Sequence, residues 1–425
     1  MKILLLCNKS PYPAYEGGPM AMNSIVNGLL DAGHQVKILA VNSSKFNVNP
    51  NDIPIEFKRK TGIELIDVDL RIKPAKALVN LLTQKSYHVE RFISDDFDKR
   101  LIEVLHSEQF DVVQLEMLYM AAYIDTIRKH SKALIVLRAH NVEHLIWERI
   151  AKETRFLPKK IYIQHLAKTL KNFELSVLDQ VDGIAAITHK DAAFFRKYAA
   201  TPTIDIPYGI NPEEFDAKYE IEGKPKFFHI GSMNWIPNNE GIKWFVDHVL
   251  DATVKKVPDF VFHLAGRNMP EWLLNLKNPH VNVIGEVPDA KAFVRNHDVA
   301  IVPLLSGSGI RIKIIEAMAM GKTVITTLVG AEGIQYKEEE NIIIAENTAK
   351  MAEKIRRINE NPDIAVEIGK AARKLVERSY DNRKIIQRLL LFYEQIKPNS
   401  KITFIAAEKS VTEDTSATHL FHGLN

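Results

Sequence analysis

Apolar positions fall in short uninterrupted blocks separated by longer stretches with helical spacing. Blocks of strand length occur at residues 2–7 (KILLLC), 35–41, 110–115 (FDVVQL), 133–137 (ALIVL), 183–188 (GIAAIT), 225–230 (PKFFHI), 260–265 (FVFHLA), 281–284 (VNVI), 299–303 and 323–327. Runs that do not alternate with polar residues predict strands covered on both faces, as in parallel sheets. Between them, apolar spacing predicts helices over 21–32, 154–178 with Pro158 as an interruption, from about Lys190, from Pro237 through Val249, and over 310–320, 349–357, 364–377 and 381–396. Strand and helix in alternation predict an α/β fold with parallel sheets. The alternation restarts after 204–215 (IDIPYGINPEEF), where Pro207, Gly209 and Pro212 suit a chain crossing between domains. A chain of 425 residues fits two such domains, here 1–206 and 207–380, followed by a helix over 381–396 and a tail over 397–425. The tail holds a strand-like block at 402–406 and a polar stretch at 412–416.

The segment 298–333 carries the most chemistry. A strand at 299–303 leads through the loop 306–309 into the helix over 310–320, which Gly321 ends before the next strand. The first turn of that helix offers free backbone N–H groups and the positive end of its dipole, and Gly307 and Gly309 permit close approach. This is an anion site. Arg311 and Lys313 place cations at the end where the dipole gains nothing from them, which makes sense with a phosphate between them. Glu316 lies in a nearly all-apolar helix and needs donors such as sugar hydroxyls or the Lys313 ammonium. The alternative is a Rossmann-type helix with a plain Lys313–Glu316 pair at i, i+3 spacing.

Other loops point to the same edge. Gly17-Gly18 before a helix either presents amides to a phosphate or sugar or is a simple Gly-Gly-Pro turn, and it lacks the three glycines of a dinucleotide fingerprint. The strand at 133–137 ends in Arg138-Ala139-His140-Asn141-Val142-Glu143-His144, which puts His140 where open α/β sheets bind ligands. The same letters fit an inverted zinc-peptidase H-x-x-E-H, but that motif belongs inside a helix and His140 sits at a strand end. The strand at 225–230 likewise ends in Gly231-Ser232-Met233-Asn234-Trp235. Gly321-Lys322-Thr323 follows a helix rather than opening one, so it is no phosphate loop of ATPase type.

Charge and cysteine use narrow the classes. Lys plus Arg exceed Asp plus Glu by 56 − 53 = 3, too few to support nucleic-acid binding. The single Cys7, in an apolar block, excludes an internal disulfide framework and fits a reducing compartment. No apolar run approaches ~20 residues, and the first block meets Asn8, Lys9 and Pro11 too soon for a signal peptide, so the expectation is a cytoplasmic protein. Over 152–171, Lys152, Arg155, Lys159, Lys160, Lys168 and Lys171 flank Phe156, Leu157, Ile161, Tyr162, Ile163 and Leu166. That face either rests on the inner face of the plasma membrane or is a solvated helix packed on its own domain.

Taken together, these segments resemble the retaining glycosyltransferases of family 4 (glycosyl transferases group 1), over roughly 1–395 and most closely over 296–334, 138–144 and 204–215. The resemblance implies the GT-B fold, two Rossmann-like parallel-sheet domains facing a central cleft, with the last helix crossing back to the first domain. It implies a metal-independent, hexosyltransferase-type enzyme without a cofactor. Such an enzyme would move a sugar from a UDP-sugar or GDP-sugar to a hydroxyl acceptor, a glycan or lipid-linked glycan of cell-surface polysaccharide synthesis. Glu316 matches the second of the family's two glutamates eight positions apart, which holds the ribose, while Ser308 stands at the first. Gly309 and Ile310 match the donor loop, His140 the donor-sugar histidine, and Gly17, Gly18 and Gly231 the loops around the diphosphate. Asn234 and Trp235 replace the family's arginine and lysine, so Arg311 and Lys313 are inferred to supply that charge. Tyr12, Tyr15 and Met20 are the acceptor-side candidates. A GT-B sugar-nucleotide 2-epimerase, a non-catalytic nucleotide-sugar-binding protein and an α/β dehydrogenase are the rival readings.

Overall fold

The computed structural model describes residues 1–14, 16–73, 79–81, 83–307 and 309–398; Tyr15, Ser308 and the segments at 402–406 and 412–416 lie outside them. The first lobe holds seven parallel strands: β1 (Lys2–Cys7), β2 (Gln35–Asn42), β3 (Glu64–Asp67), β4 (Val112–Glu116), β5 (Leu134–Ala139), β6 (Gly183–Ala186) and β7 (Thr203–Asp205). Their order is β3-β2-β1-β4-β5-β6-β7. The second lobe holds β8 (Phe227–Ile230), β9 (Phe262–Ala265), β10 (Val281–Gly285), β11 (Val299–Val302), β12 (Thr323–Thr326) and β13 (Ile343–Ile344), ordered β10-β9-β8-β11-β12-β13. All pairings are parallel, and the central strands β1, β4, β5, β11 and β12 are buried along nearly their whole length, as their unbroken apolar blocks require. The order reverses between β1 and β4 in one lobe and between β8 and β11 in the other. Loops diverge at such points and leave a crevice at the carboxyl ends of the strands.

Three helix boundaries and one strand end differ from the sequence expectation. The first helix spans Gly17–Asp31, so Gly17, Gly18 and Pro19 form its opening turn, where proline's missing N–H costs nothing. Pro158 opens the helix Leu157–Leu178 for the same reason, after a separate helix Glu143–Glu153. The helix after the 306–309 loop spans Ile312–Ala319 rather than 310–320, because Arg311 is extended (φ −89°, ψ 92°). Arg138 and Ala139 belong to β5, and His140 follows it directly.

The chain passes between lobes twice, and the passages lie side by side. Ile210 pairs with Asp381, the Ile210 amide donates to the Tyr380 carbonyl at 2.9 Å, and the Asn382 amide donates to the Ile210 carbonyl at 2.8 Å. Ser24 Oγ donates to the Gly209 carbonyl at 2.6 Å, and Asn382 Nδ2 to the Ser24 carbonyl at 2.9 Å. A Cβ on Gly209 would lie 2.8 Å from Asn382 Cα, so only glycine fits this seam. Beyond it, the helix Asn382–Gln395 returns to the first lobe and buries Ile385, Ile386, Leu389, Phe392 and Tyr393 against β1, β2 and the 17–31 helix. One apolar cluster joins the lobes, with Ala21 and Ile187 packed among Ile314, Ile315 and Met318. No helix among the described residues is long and apolar enough to cross a membrane.

Candidate active site

The loop after β8 and the loop after β11 meet at the order reversal of the second sheet. Gly231 directly follows β8, and a Cβ there would fall 2.3 Å from Lys313 Nζ and 2.9 Å from Asn238 Nδ2. The bare backbone lets the lysine of one loop reach beneath the other. Lys313 Nζ donates to Asn238 Oδ1 at 2.7 Å and lies 3.4 Å from His229 Nε2. His229 Nδ1 lies 2.8 Å from the Ile301 carbonyl, so Nδ1 carries the proton and Nε2 accepts. Burial, then the Arg311 charge, pull the Lys313 ammonium down to about 7. The Glu316 charge offsets part of this from a distance, but no direct i, i+3 ion pair forms, because the lysine is turned toward Asn238.

Arg311 is folded back along its own loop. Nη1 donates to the Gly309 carbonyl at 2.7 Å, and the guanidinium carbon sits 5.6 Å from the centre of the Trp235 ring. It is 4% exposed, and burial lowers it to about 10. Gly307, with φ 117°, and Gly309, with φ 76°, hold left-handed conformations that let the loop pass over this side chain. Glu316 lies one turn into the helix, partly buried, and burial lifts its carboxyl to about 7. Tyr208 of the first crossing faces it, its phenol pushed up by burial and then by the Glu316 charge.

In the first lobe, His140 is held from below. Glu116, the last residue of β4, accepts from His140 Nε2 at 2.7 Å and Arg138 Nη1 at 3.1 Å through one oxygen, and from Gln114 Nε2 at 2.6 Å through the other. Tyr393 of the returning helix bonds Gln114. Burial alone would raise Glu116, but Arg138 and His140 outweigh it and the carboxylate stays below its ordinary range. His140 is 7% exposed; burial lowers it, so the ring is neutral, donates through Nε2 and leaves Nδ1 as acceptor. Lys9 also bears on His140, and its Cε would lie 3.2 Å from a Cβ on Gly18, which brings β1's loop, the 17–31 helix tip and His140 together.

The neighbouring residues support the helix 143–153. Glu174 accepts from the Glu143 amide at 2.9 Å, the His144 amide at 3.2 Å and the His144 ring, capping that helix from another one. His140 and His144 thus bind different carboxylates, and the described residues hold no group of three metal-ligand side chains. Glu143 is pushed up to about 7 by burial and accepts from the Tyr119 hydroxyl at 2.7 Å. Across the crevice, Arg149 Nη1 donates to the Gly307 carbonyl at 2.8 Å, Lys190 pairs with Glu332 at 2.8 Å, and a Cβ on Gly309 would lie 3.4 Å from Asn141 Oδ1. The structure therefore brings His140 and Asn141 to face the Gly307–Arg311 loop, with Gly17 opposite Ile312, 3.9 Å from a Cβ there. Ile310 is partly buried and packs on the cluster that joins the lobes.

Glu116, Lys9, Asn238 and His229 were not singled out from the sequence. Glu116 carried one signal, a polar Q-x-E alternation at the end of an otherwise apolar block.

Residues 224–361 match the family model described as Glycosyl transferases group 1. This glycosyl transferases group 1 domain covers most of the second lobe, including the loops after β8 and β11. Over the whole chain, the "Uncharacterized 44.6 kDa protein in cps region" of Klebsiella pneumoniae is 22% identical across 413 residues, 91% of this chain and 98% of that one. Sucrose-phosphate synthase from Thermosynechococcus elongatus superposes with a TM-score of 0.68 at 16% identity, covering 93% of this chain and 99% of its own. Anabaena Alr3699/HepE, solved in complex with UDP, gives 0.63 at 12% identity over 92% and 99%. The fold is GT-B.

Proposed function

We propose that the protein is a retaining glycosyltransferase that moves a hexose from a nucleotide diphosphate sugar to a hydroxyl of a glycan or lipid-linked glycan. The observation that carries this reading is the pair of cations at the second sheet's order reversal, Lys313 beneath Gly231 and Arg311 beneath Gly307, beside a helix tip with free amides. In this scheme the diphosphate sits against those amides, and Arg311 and Lys313 neutralise the charge that grows as the glycosidic bond breaks. Glu316 accepts from the ribose hydroxyls, and His140 Nδ1 accepts from a hydroxyl of the donor sugar. The departing diphosphate takes the acceptor proton, so no paired carboxylates of glycosidase type are needed, and counter-charge comes from side chains and amides rather than a metal. The related protein solved with UDP supports a UDP-sugar donor, and the cps-region relative supports polysaccharide synthesis.

Thermal shift with UDP-sugars and GDP-sugars tests the donor class, since a ligand of the folded form raises its apparent stability. Proton NMR of the transferred anomeric centre tests retention, and activity in EDTA tests metal independence. Ser308 in place of a glutamate favours one second reading, a nucleotide-sugar-binding protein without turnover. Slow hydrolysis of a donor excludes it, whereas donor binding with neither hydrolysis nor transfer establishes it. Epimerised sugar released without acceptor would replace both readings by the 2-epimerase.

A further inference from the structure

The helix Leu157–Leu178 packs Ile163, Leu166, Ala167 and Leu170 into the first lobe, but its opening turn does the opposite. Phe156 is 68% exposed, Leu157 63% and Ile161 57%. Leu157, Ile161 and His165 follow one another at i, i+4 spacing on one stripe. His165 Nε2 lies 3.2 Å from the Asn80 carbonyl, so the stripe runs beside residues 79–81. Val79 and Leu81 there are exposed too. Five large apolar side chains thus share one surface, more than scattered surface residues explain.

The charge around them is mainly positive, with the exposed Glu153, and Glu90, which accepts from Asn80 Nδ2 at 3.1 Å, as acidic exceptions. Lys85, whose carbonyl accepts from Asn80 Nδ2 at 3.0 Å, is exposed, as are Lys152, Arg155 and Lys159, with Lys160 partly so. None of these five pairs with a carboxylate among the described residues, whereas Lys60, Lys243, Arg356 and Lys370 on other surface helices all do. Glu153 is the only acidic residue in 152–171, and 71–85 contains none. A second copy packed here about a two-fold axis would set these cations against themselves. An anionic bilayer takes both features at once, with apolar side chains entering the acyl boundary and cations remaining at the headgroups.

We infer that this surface docks the first lobe on an anionic lipid membrane. It lies at the turn that follows the helix 143–153, whose Arg149 reaches the Gly307 loop, so a lipid-borne hydroxyl would be held on the crevice side of the lobe. Docking is separate from sugar transfer and goes beyond the function proposed above.

Co-sedimentation with vesicles tests it. The whole protein should bind vesicles of equimolar phosphatidylcholine and phosphatidylglycerol, and bind pure phosphatidylcholine at least about ten-fold more weakly. Lys159→Glu and Lys160→Glu should each weaken anionic binding about five-fold or more. Phe156→Ser/Leu157→Ser/Ile161→Ser should weaken it ~100-fold or more while leaving nucleotide binding and the thermal melt of the free protein unchanged, since all three side chains already face solvent. Failure of the wild type to bind anionic vesicles, or undiminished binding by the triple serine variant, overturns the inference. So does light scattering that shows a dimer which the triple variant disperses, because a second copy would then own the surface. Neither outcome bears on donor binding, so failure here is distinguishable from failure of the glycosyltransferase reading.

Discussion

Lys313 is a cation kept in an unfavourable place, and replacing it should separate stability from binding. Its amine falls from an ordinary 10.5 to about 7 in the fold. Between those values the unfolded chain binds a proton that the folded chain does not, so stability rises with pH across that window. At pH 7 a shift of this size corresponds to up to ~4 kcal/mol relative to a neutral side chain, trimmed where the amine still meets solvent in the crevice. In Lys313→Met that cost disappears. The loss of the Asn238 and His229 contacts takes back about 1 to 2 kcal/mol, which leaves a net gain near 2 kcal/mol at neutral pH. The same variant should bind UDP or GDP about 10- to 150-fold more weakly, the worth of a charged hydrogen bond to phosphate. Urea melts at about pH 7 and about pH 9, with and without nucleotide, give both quantities, and the wild type should gain more stability between the two pH values than the variant, which keeps only the smaller rise from buried Lys322, lowered to about 8. If the variant is less stable than the wild type at pH 7, Lys313 is a structural tie rather than a reserved cation. Unchanged nucleotide affinity would refute the donor assignment.

Three further outcomes follow from the geometry. Affinity for UDP-glucose, whose diphosphate does not titrate near neutrality, should peak around pH 7, because Lys313 loses its proton above about 7 and Glu316 gains one below about 7; Glu316→Gln should lose the acidic limb and keep the basic one in calorimetric titrations. Glu116→Gln should destabilise the protein by about 3–5 kcal/mol by stranding the buried Arg138, and Glu116→Gln/Arg138→Met should recover most of that loss in urea melts; a single-variant cost below ~1 kcal/mol would show that the network is not held by charge. Gly209→Ala forces a Cβ to 2.8 Å from Asn382 Cα, so unfolding measurements should show a loss of about 1–3 kcal/mol, and a neutral result would mean that the two crossings part easily.

The strands of both central sheets were legible because burial on both faces leaves an unbroken apolar block, as at 2–7 and 299–303. Short edge strands such as β3, whose residues are only partly buried, carry no such block and went unread. Helix starts were misplaced where a distant contact decides them: Arg311 stays extended because its guanidinium closes on the Gly309 carbonyl and Trp235, and neither contact is periodic. Within the crevice, His140 and Gly231 were readable from position alone, at strand ends, whereas Glu116 and Glu174 act through partners 22 to 31 residues away and look in sequence like ordinary carboxylates. The direction of Lys313 was also hidden. Spacing along its helix suggests Glu316, but the bare backbone at Gly231 opens a shorter path to Asn238.

The returning helix sets the order in which the chain can finish folding. Phe392 lies so close to Gly183 that a Cβ there would be 2.7 Å from its ring, and Tyr393 reaches Gln114 inside β4. During synthesis the amino-terminal sheet therefore emerges first yet lacks one wall of its interior until nearly 400 residues have been made. A ribosome-bound fragment ending before Asn382 should leave that apolar floor open to chaperones, and the carboxyl-terminal lobe, whose apolar clusters take no side chain from the last helix, should reach its compact state ahead of the lobe translated before it.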